Sequence, residues 1–404
     1  MPALDATPGS AAWRHDRRRQ LFKVAGRARR DVGFGWLDDT GHDDPSRGLK
    51  LWINARMTYV FSIAALLDTP GAADLAAHGV TALRTVLHDD EHGGWFDAIQ
   101  PDGTIADDGK RCYGHAFVLL AGATATSAGI FRAPDLFAEA QEVHAARFWD
   151  ARAGRCVEER SRDWSSVDDY RGANSNMHTV EAYLFTADVT GETIWRERAE
   201  AICERIIGTT AREQGWRIPE HFDSDWNPVL DLNGDRPNDP FRPFGATPGH
   251  AFEWARLMVQ LDAALDDTGS WRLDAAEHLF ARATADAVDD EMPLLPYTTD
   301  WEGGPVVRER FHWVMAEAVQ SAEVLAAATG GAVYAELVER WWSEIAEHVI
   351  DDDGSWRHEL SSTLAASDQT WRGRPDAYHG VNALTCADLP LSRTAAVALG
   401  GASR

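Results

Sequence analysis

The chain lacks any run approaching the roughly 18 apolar residues that a membrane helix requires. Met1 to Ala12 carries no apolar core of the kind a secretory leader needs, so a soluble, cytoplasmic protein is expected. Cysteine is scarce: Cys112, Cys156, Cys203 and Cys386 stand far apart, without CxxC or metal spacing. That argues against a disulfide framework and for free thiols in a reducing compartment. No Gly/Ser-rich linker or low-complexity block divides the 404 residues, which predicts one domain over 1–404. No nucleotide-binding feature is present. Positive charge is also short, with 39 Lys and Arg against 64 Asp and Glu and a net charge of −25. Such a field repels nucleic acid and anionic membrane. The basic runs Arg17-Arg18-Arg19 and Arg27 to Arg30 are read as a solvated face of a first helix.

What the chain does contain is helical periodicity, recurring in pairs. The segments are 11–31 and 50–67, 71–87 and 111–127, 131–148 and 173–190, 193–207 and 248–264, 267–288 and 309–328, and 331–347 and 377–389. The second member of each pair is the more apolar, as in Ala116 to Ala123, and the first carries more charge, as in Arg196 to Glu200. Helices that are apolar nearly all round belong inside, and amphipathic ones belong outside. Aromatic, turn-rich pieces beginning at Gly35, Gly94 and Asp353 precede inner helices and read as small hairpins.

Polar residues then align at the inner-helix starts: Arg56, His115, His178, His250, His312 and His379, spaced 59 to 72 residues apart. A repeat of this period predicts six helical hairpins closed into an all-α (α/α)6 barrel, with those starts gathered at one mouth. The connection from Gly215 to Gly249 is long enough for a binding element or lid.

Three chemistries compete for that mouth. His178-Thr-Val-Glu181 and His250-Ala-Phe-Glu253 have the i, i+3 spacing of a shared cation site, but clustered Asp/Glu for a hard ion is missing, so no metal and no cofactor is expected. Glycoside hydrolysis needs two carboxyls facing across a bond; Glu253 and Glu317 are the available pair. Imidazole acid/base chemistry fits the inventory best, because histidine exchanges protons near neutral pH and helix N-termini stabilise a developing oxyanion. Glu253, three residues after His250, is its expected carboxylate partner, and Arg56 supplies a fixed charge. Of 17 tryptophans, Trp52, Trp254 and Trp313 fall near inner-helix starts, and Trp226, Trp301 and Trp371 in the loops before them. Aromatic faces and a few polar groups suit a sugar.

These segments resemble the N-acylglucosamine 2-epimerase superfamily: Leu51-Trp-Ile-Asn-Ala-Arg-Met, Tyr113-Gly-His-Ala-Phe, Asn174-Ser-Asn-Met-His178, Thr247-Pro-Gly-His-Ala-Phe-Glu253, His312-Trp-Val-Met-Ala-Glu317 and Arg374-Pro-Asp-Ala-Tyr-His379. Within it the likeness is to the mannose isomerase and sulfoquinovose isomerase branch, over about Trp13 to Leu389. The resemblance implies an (α/α)6 barrel and cofactor-independent isomerisation of a monosaccharide. Separately from it, a monomer or homodimer is expected, with no nucleic-acid or membrane partner. The resemblance also implies His250 and His379 as the catalytic pair. Arg56, Tyr113, Asn174, His178, Glu253, Trp313 and Glu317 would contact sugar or position those histidines. D-mannose to D-fructose is the expected reaction, with D-lyxose to D-xylulose beside it, through a cis-enediol. Sulfoquinovose isomerisation, which would call on Arg242 or Arg374, and sugar 2-epimerisation are the alternatives.

Overall fold

A computed structural model describes residues 7–265, 271–289 and 292–400. The alternation read from the sequence appears as twelve long helices: α1 (Ala11–Ala25), α2 (Leu51–Leu66), α3 (Ala72–Leu83), α4 (Cys112–Ser127), α5 (Ala133–Val143), α6 (Ala173–Thr190), α7 (Thr193–Cys203), α8 (Pro248–Leu265), α9 (Trp271–Ala287), α10 (His312–Thr329), α11 (Ala332–Glu344) and α12 (Tyr378–Cys386). The start expected at 267 lies outside the described residues. Helices α5, α7 and α11 run on into π-helical turns, His144–Phe148, Glu204–Ala211 and Ile345–Val349.

The even-numbered helices form the inner ring. α2 buries everything from Leu51 to Ala64, whereas α3 buries only Ala72, Ala76, Gly79, Val80, Ala82 and Leu83. Each inner helix touches the next, and α12 returns to α2, which closes an (α/α)6 barrel. Between inner helices fully buried side chains such as Trp254 and Phe117 fill the space. Each contributes about 1.5–3 kcal/mol by leaving water.

The pairing of helices is shifted by one from the sequence reading. Each inner helix packs most closely on the outer helix that follows it, α2 on α3 through α10 on α11, and α12 packs on α1. The cause is connection length. Inner-to-outer turns are short; α6 and α10 end on Gly191 and Gly330 at φ 75° and 71°, whose N–H groups bond back to Ala187 and Ala326. Outer-to-inner connections are long, and all of them lie at the other end of the ring. Short antiparallel pairings stitch them together there: 49–50 with 98–99, 110–111 with 159–160, 171–172 with 221–222, and 310–311 with 359–360. Bridges Ala246–Thr299 and Leu37–Arg374 complete a sixfold rim. Each inner helix therefore begins at a fixed point, and its first turn faces the mouth. The expected hairpins are present, for example 98–99 with 105–107. Trp341 and Trp342 belong to the core, not to an exposed patch. Among the described residues no helix is long and apolar enough to cross a membrane.

Candidate active site

At the mouth the inner-helix starts surround a cavity lined by aromatic and polar side chains. Its wall includes Arg56, Tyr113, Asn174, His178, His250, Glu253, Trp313 and His379, eight of the nine residues expected there. The ninth, Glu317, is fully buried behind the wall and accepts a 2.8 Å bond from His379 Nδ1. It positions an imidazole and does not reach the sugar space.

Five imidazoles line this cavity, and two of them, His250 and His379, have a hydrogen-bonded carboxylate behind them. Because a carboxylate can only accept, Glu317 fixes the Nδ1–H tautomer of His379 and leaves Nε2 as the free nitrogen. Burial, and then the charge of Arg56, holds His379 well below the usual histidine range, so the ring is a neutral base. His250 Nδ1 donates in the same way, but to Glu220 Oε1 at 2.9 Å. This corrects the expected His250–Glu253 pairing. Helical i, i+3 spacing allowed that contact, yet Glu253 lies beside His178 Nδ1 at 3.6 Å and Arg256 at 3.4 Å. Both imidazoles pack near the indole of Trp313, with ring centroids 5.1 Å away for His250 and 5.7 Å for His379.

Arg56 is both ion-paired and part of the wall. It pairs with buried Asp376 at 3.2 Å, donates to Tyr113 Oη at 2.9 Å, and still borders the cavity. Burial opposes its charge, while the Asp376 carboxylate favours it. Tyr113 is pushed up to about 12 by burial and stays a neutral phenol.

His115 does not join this wall. It packs against Trp95, Phe148 and Trp164, and its Nδ1 donates to Arg111 O at 2.7 Å. Tyr113, two residues earlier and hence about 200° around the helix, takes the cavity position. Of the six tryptophans expected near the sugar, Trp52, Trp313 and Trp371 line the cavity. Trp254 is core, Trp226 carries the Arg155 guanidinium on its ring, and Trp301 donates to Leu230 O.

His312, expected at the mouth as an inner-helix start, stacks at 3.8 Å on His358, which carried no sequence prediction, and burial lowers both, His312 to about 4. Asp376, Tyr297 and Phe241 also border the space. Asp376 sits inside the Arg374–His379 motif, and a carboxylate three residues before a histidine was the available signal. Glu220 lay among the many acids of the long connection, with nothing to single it out.

Four polar atoms at this wall are buried without a hydrogen-bond partner: Arg56 Nε, Asn174 Oδ1, His178 Nδ1 and Glu253 Oε2. Leaving such groups unpaired costs about 1–3 kcal/mol each, and a polyhydroxylated ligand would pair them.

As for metals, His178, Glu181 and Glu253 converge, as do Glu253, Glu317 and His379. The Arg256 guanidinium already sits among these carboxylates, at 3.7 Å from Glu181, 3.4 Å from Glu253 and 3.1 Å from Glu317. A third set, Cys112, His144 and Cys156, is buried outside the cavity wall. It brings together thiols that look unrelated in the sequence, because each arrives on a different element. His144 Nε2 lies 3.7 Å from Cys112 Sγ.

The buried histidines make the fold acid-sensitive. Burial holds His115 and His144 at about 3 and His178 and His312 at about 4, whereas the unfolded chain protonates them near 6.5. The unfolded state thus binds more protons below pH about 6.5, and stability falls with pH from there until about 3. Urea midpoints measured against pH should be flat above 7 and drop steeply below 6.5. A midpoint unchanged down to pH 4 would contradict this burial.

The matching family description is N-acylglucosamine 2-epimerase (GlcNAc 2-epimerase), over residues 33–383. The chain belongs to this family. It is 45% identical over 404 residues to the D-mannose isomerase of Thermobifida fusca, covering 99% of both chains. To the D-mannose isomerase of Pseudomonas cannabina pv. alisalensis it is 42% identical over 401 residues, covering 98% of this chain and 96% of the relative. Among solved structures, a D-mannose isomerase superposes with TM-score 0.88 at 27% identity, over 96% of this chain and 99% of the other. Cellobiose 2-epimerase from Spirochaeta thermophila DSM 6192, at TM-score 0.80 and 24% identity over 93% and 96% of the two chains, shares the fold.

Proposed function

We propose that the chain is an aldose–ketose isomerase that interconverts D-mannose and D-fructose, with D-lyxose and D-xylulose as a smaller pair. The observation that carries this reading is the pair of carboxylate-backed imidazoles, His250–Glu220 and His379–Glu317, on one aromatic cavity. Whole-length identity to D-mannose isomerases supports the choice of sugar.

In the mechanism we infer, the open-chain aldose binds with C1–C2 beside His379. Its neutral Nε2 removes the C2 proton, the C1 carbonyl becomes an enediolate oxygen, and the same nitrogen returns a proton to C1 to give the ketose. His250, held by Glu220, assists ring opening and moves the proton between O1 and O2. Arg56 and the inner-helix N-termini stabilise the negative oxygens. Converting Glu220 or Glu317 to glutamine would leave its imidazole free to adopt the wrong tautomer. Steady-state kcat for mannose should then fall, by up to the ~10⁴-fold seen where an orienting carboxylate becomes an amide. Unchanged kcat in Glu317→Gln would remove it from this role.

The cavity favours a neutral sugar. Arg56 is the one guanidinium or ammonium group among the described residues that line it, and Asp376 already neutralises that charge. The two cations a sulfonate would call on are engaged elsewhere: Arg242 lies 3.8 Å over the Tyr170 ring, and Arg374 is held by Asp351 at 2.6 Å. Hydrolysis loses its carboxyl pair, since Glu317 is behind the wall and shares Arg256 with Glu253 instead of facing it across a substrate. Epimerisation keeps one supporting observation: two imidazoles, His250 and His379, border one cavity, and were they to sit on opposite faces of the enediolate, slow inversion at C2 would follow.

Turnover of D-mannose, D-glucose, N-acetylglucosamine and sulfoquinovose, each with EDTA present, tests the reading. Mannose should lead and fructose should accumulate. Preference for sulfoquinovose, or loss of turnover with EDTA, would overturn it.

A further inference from the structure

Beneath the cavity three buried carboxylates share one cation. Glu181 on α6, Glu253 on α8 and Glu317 on α10 all approach the Arg256 guanidinium, and each is less than 5% exposed. Other groups facing this cluster do little to balance it. His178 on α6 is held down to about 4 by burial, and His379 on α12 is also held low, so both are neutral. Arg56 on α2 is committed to Asp376, while Tyr113 on α4 and Tyr378 on α12 are neutral phenols. With all three carboxyls ionised the cluster would carry two uncompensated negative charges out of water. Burial at that cost is relieved when a carboxyl takes up a proton.

The hydrogen bonds identify which one. Glu317 accepts from His379 Nδ1 at 2.8 Å, Gln320 Nε2 at 3.0 Å and Arg256 Nε at 3.1 Å. Glu181 accepts from the Tyr378 hydroxyl as well as facing Arg256. Glu253 receives only the long 3.4 Å contact from Arg256 on Oε1, and its Oε2 has no partner although the residue lines the cavity. We propose that Glu253 is held as a neutral carboxylic acid whose O–H is donated to an oxygen of the bound sugar.

Burial, reinforced by the charge of Glu317, pushes the Glu253 acid well above the usual carboxyl range. The role is that of a preorganised donor in a dry site, where a neutral acid serves better than a carboxylate that would repel an enediolate. The inference rests on the sugar-isomerase reading for its ligand, and on the geometry alone for its proton.

The test is infrared difference spectroscopy of wild type minus Glu253→Gln at neutral pH, in H₂O and D₂O. Burial also pushes the Glu323 acid up to about 7, so its band is common to both proteins and cancels. A positive protonated-carboxyl C=O band that shifts in D₂O should remain in the difference. Absence of that difference band would overturn the assignment. Kinetics supply a second arm. Glutamine keeps an N–H donor, so Glu253→Gln should lower kcat/KM about tenfold and Glu253→Leu by about a hundredfold more, the scale of an unpaired buried polar group. Equal losses in the two variants would refute the donor role. The infrared readout needs no turnover: if the wild type fails to isomerise mannose while the band behaves as stated, the isomerase reading falls and the neutral acid stands.

Discussion

Replacing His379 with alanine is expected to lower kcat for mannose by at least about 10²–10⁴-fold, the contribution of one general acid/base, with a much smaller effect on KM. The ring is the only group here that combines a cavity-facing nitrogen free to take a proton, a backing carboxylate and neutrality enforced by burial and Arg56. The loss should fall on kcat because the interaction exists only in the proton-transfer steps. His250→Ala should also be slow, but in a different way. If His250 serves ring opening and O1/O2 proton movement, part of its loss should return with a sugar that populates the open chain more. Near-normal turnover in His379→Ala would remove it from the mechanism.

Replacing Arg256 with methionine should have the largest effect on stability. Among the described residues the guanidinium is the one arginine or lysine group in contact with Glu181, Glu253 and Glu317, and its removal strands them together in a buried site. Breaking a buried ion pair from one side costs about 3–5 kcal/mol, because the remaining charge has no partner and no water. Urea denaturation at neutral pH measures it. The sign with pH is a further check. Stranded carboxylates are pushed above their unfolded values, so the folded variant holds protons that the unfolded chain releases as pH rises. Its deficit relative to wild type should therefore shrink as pH falls and grow as pH rises. A deficit under about 1 kcal/mol, the range of surface pairs, would show that Arg256 does not hold these carboxylates.

Much of the fold was legible because the repeat is written in hydrophobic pattern. Helices such as 112–127 and 173–190 are apolar all round, which only an inner ring satisfies, and their boundaries followed within a few residues. The helix-to-helix pairing was not legible, because packing partners depend on connection length in space more than on the order of amphipathic and apolar segments. The site divides along the same line. His178, His250 and His379 could be found because each begins a repeat unit at a matching point. His115 misled for the same reason: it has the spacing but sits on the wrong side of its helix, buried against Trp164. Glu220 and Asp376 were hidden because a carboxylate in an acidic loop has no local mark; only the fold shows that one backs an imidazole and the other an arginine. Glu253 illustrates the limit of i, i+3 reasoning. Spacing puts it on the same face as His250, yet Arg256 and His178 compete for it and win.

The account depends on protons moving between a sugar carbon and a histidine. Running the mannose–fructose interconversion in D₂O and reading deuterium at C1 of fructose and C2 of recovered mannose, for wild type and His379→Ala, tests this most directly. Solvent deuterium should enter both carbons with the wild type and neither with the variant. Fructose formed at the wild-type rate with no deuterium at C1, even after prolonged incubation, would mean that hydrogen travels directly between the two carbons and that the imidazoles do not carry it.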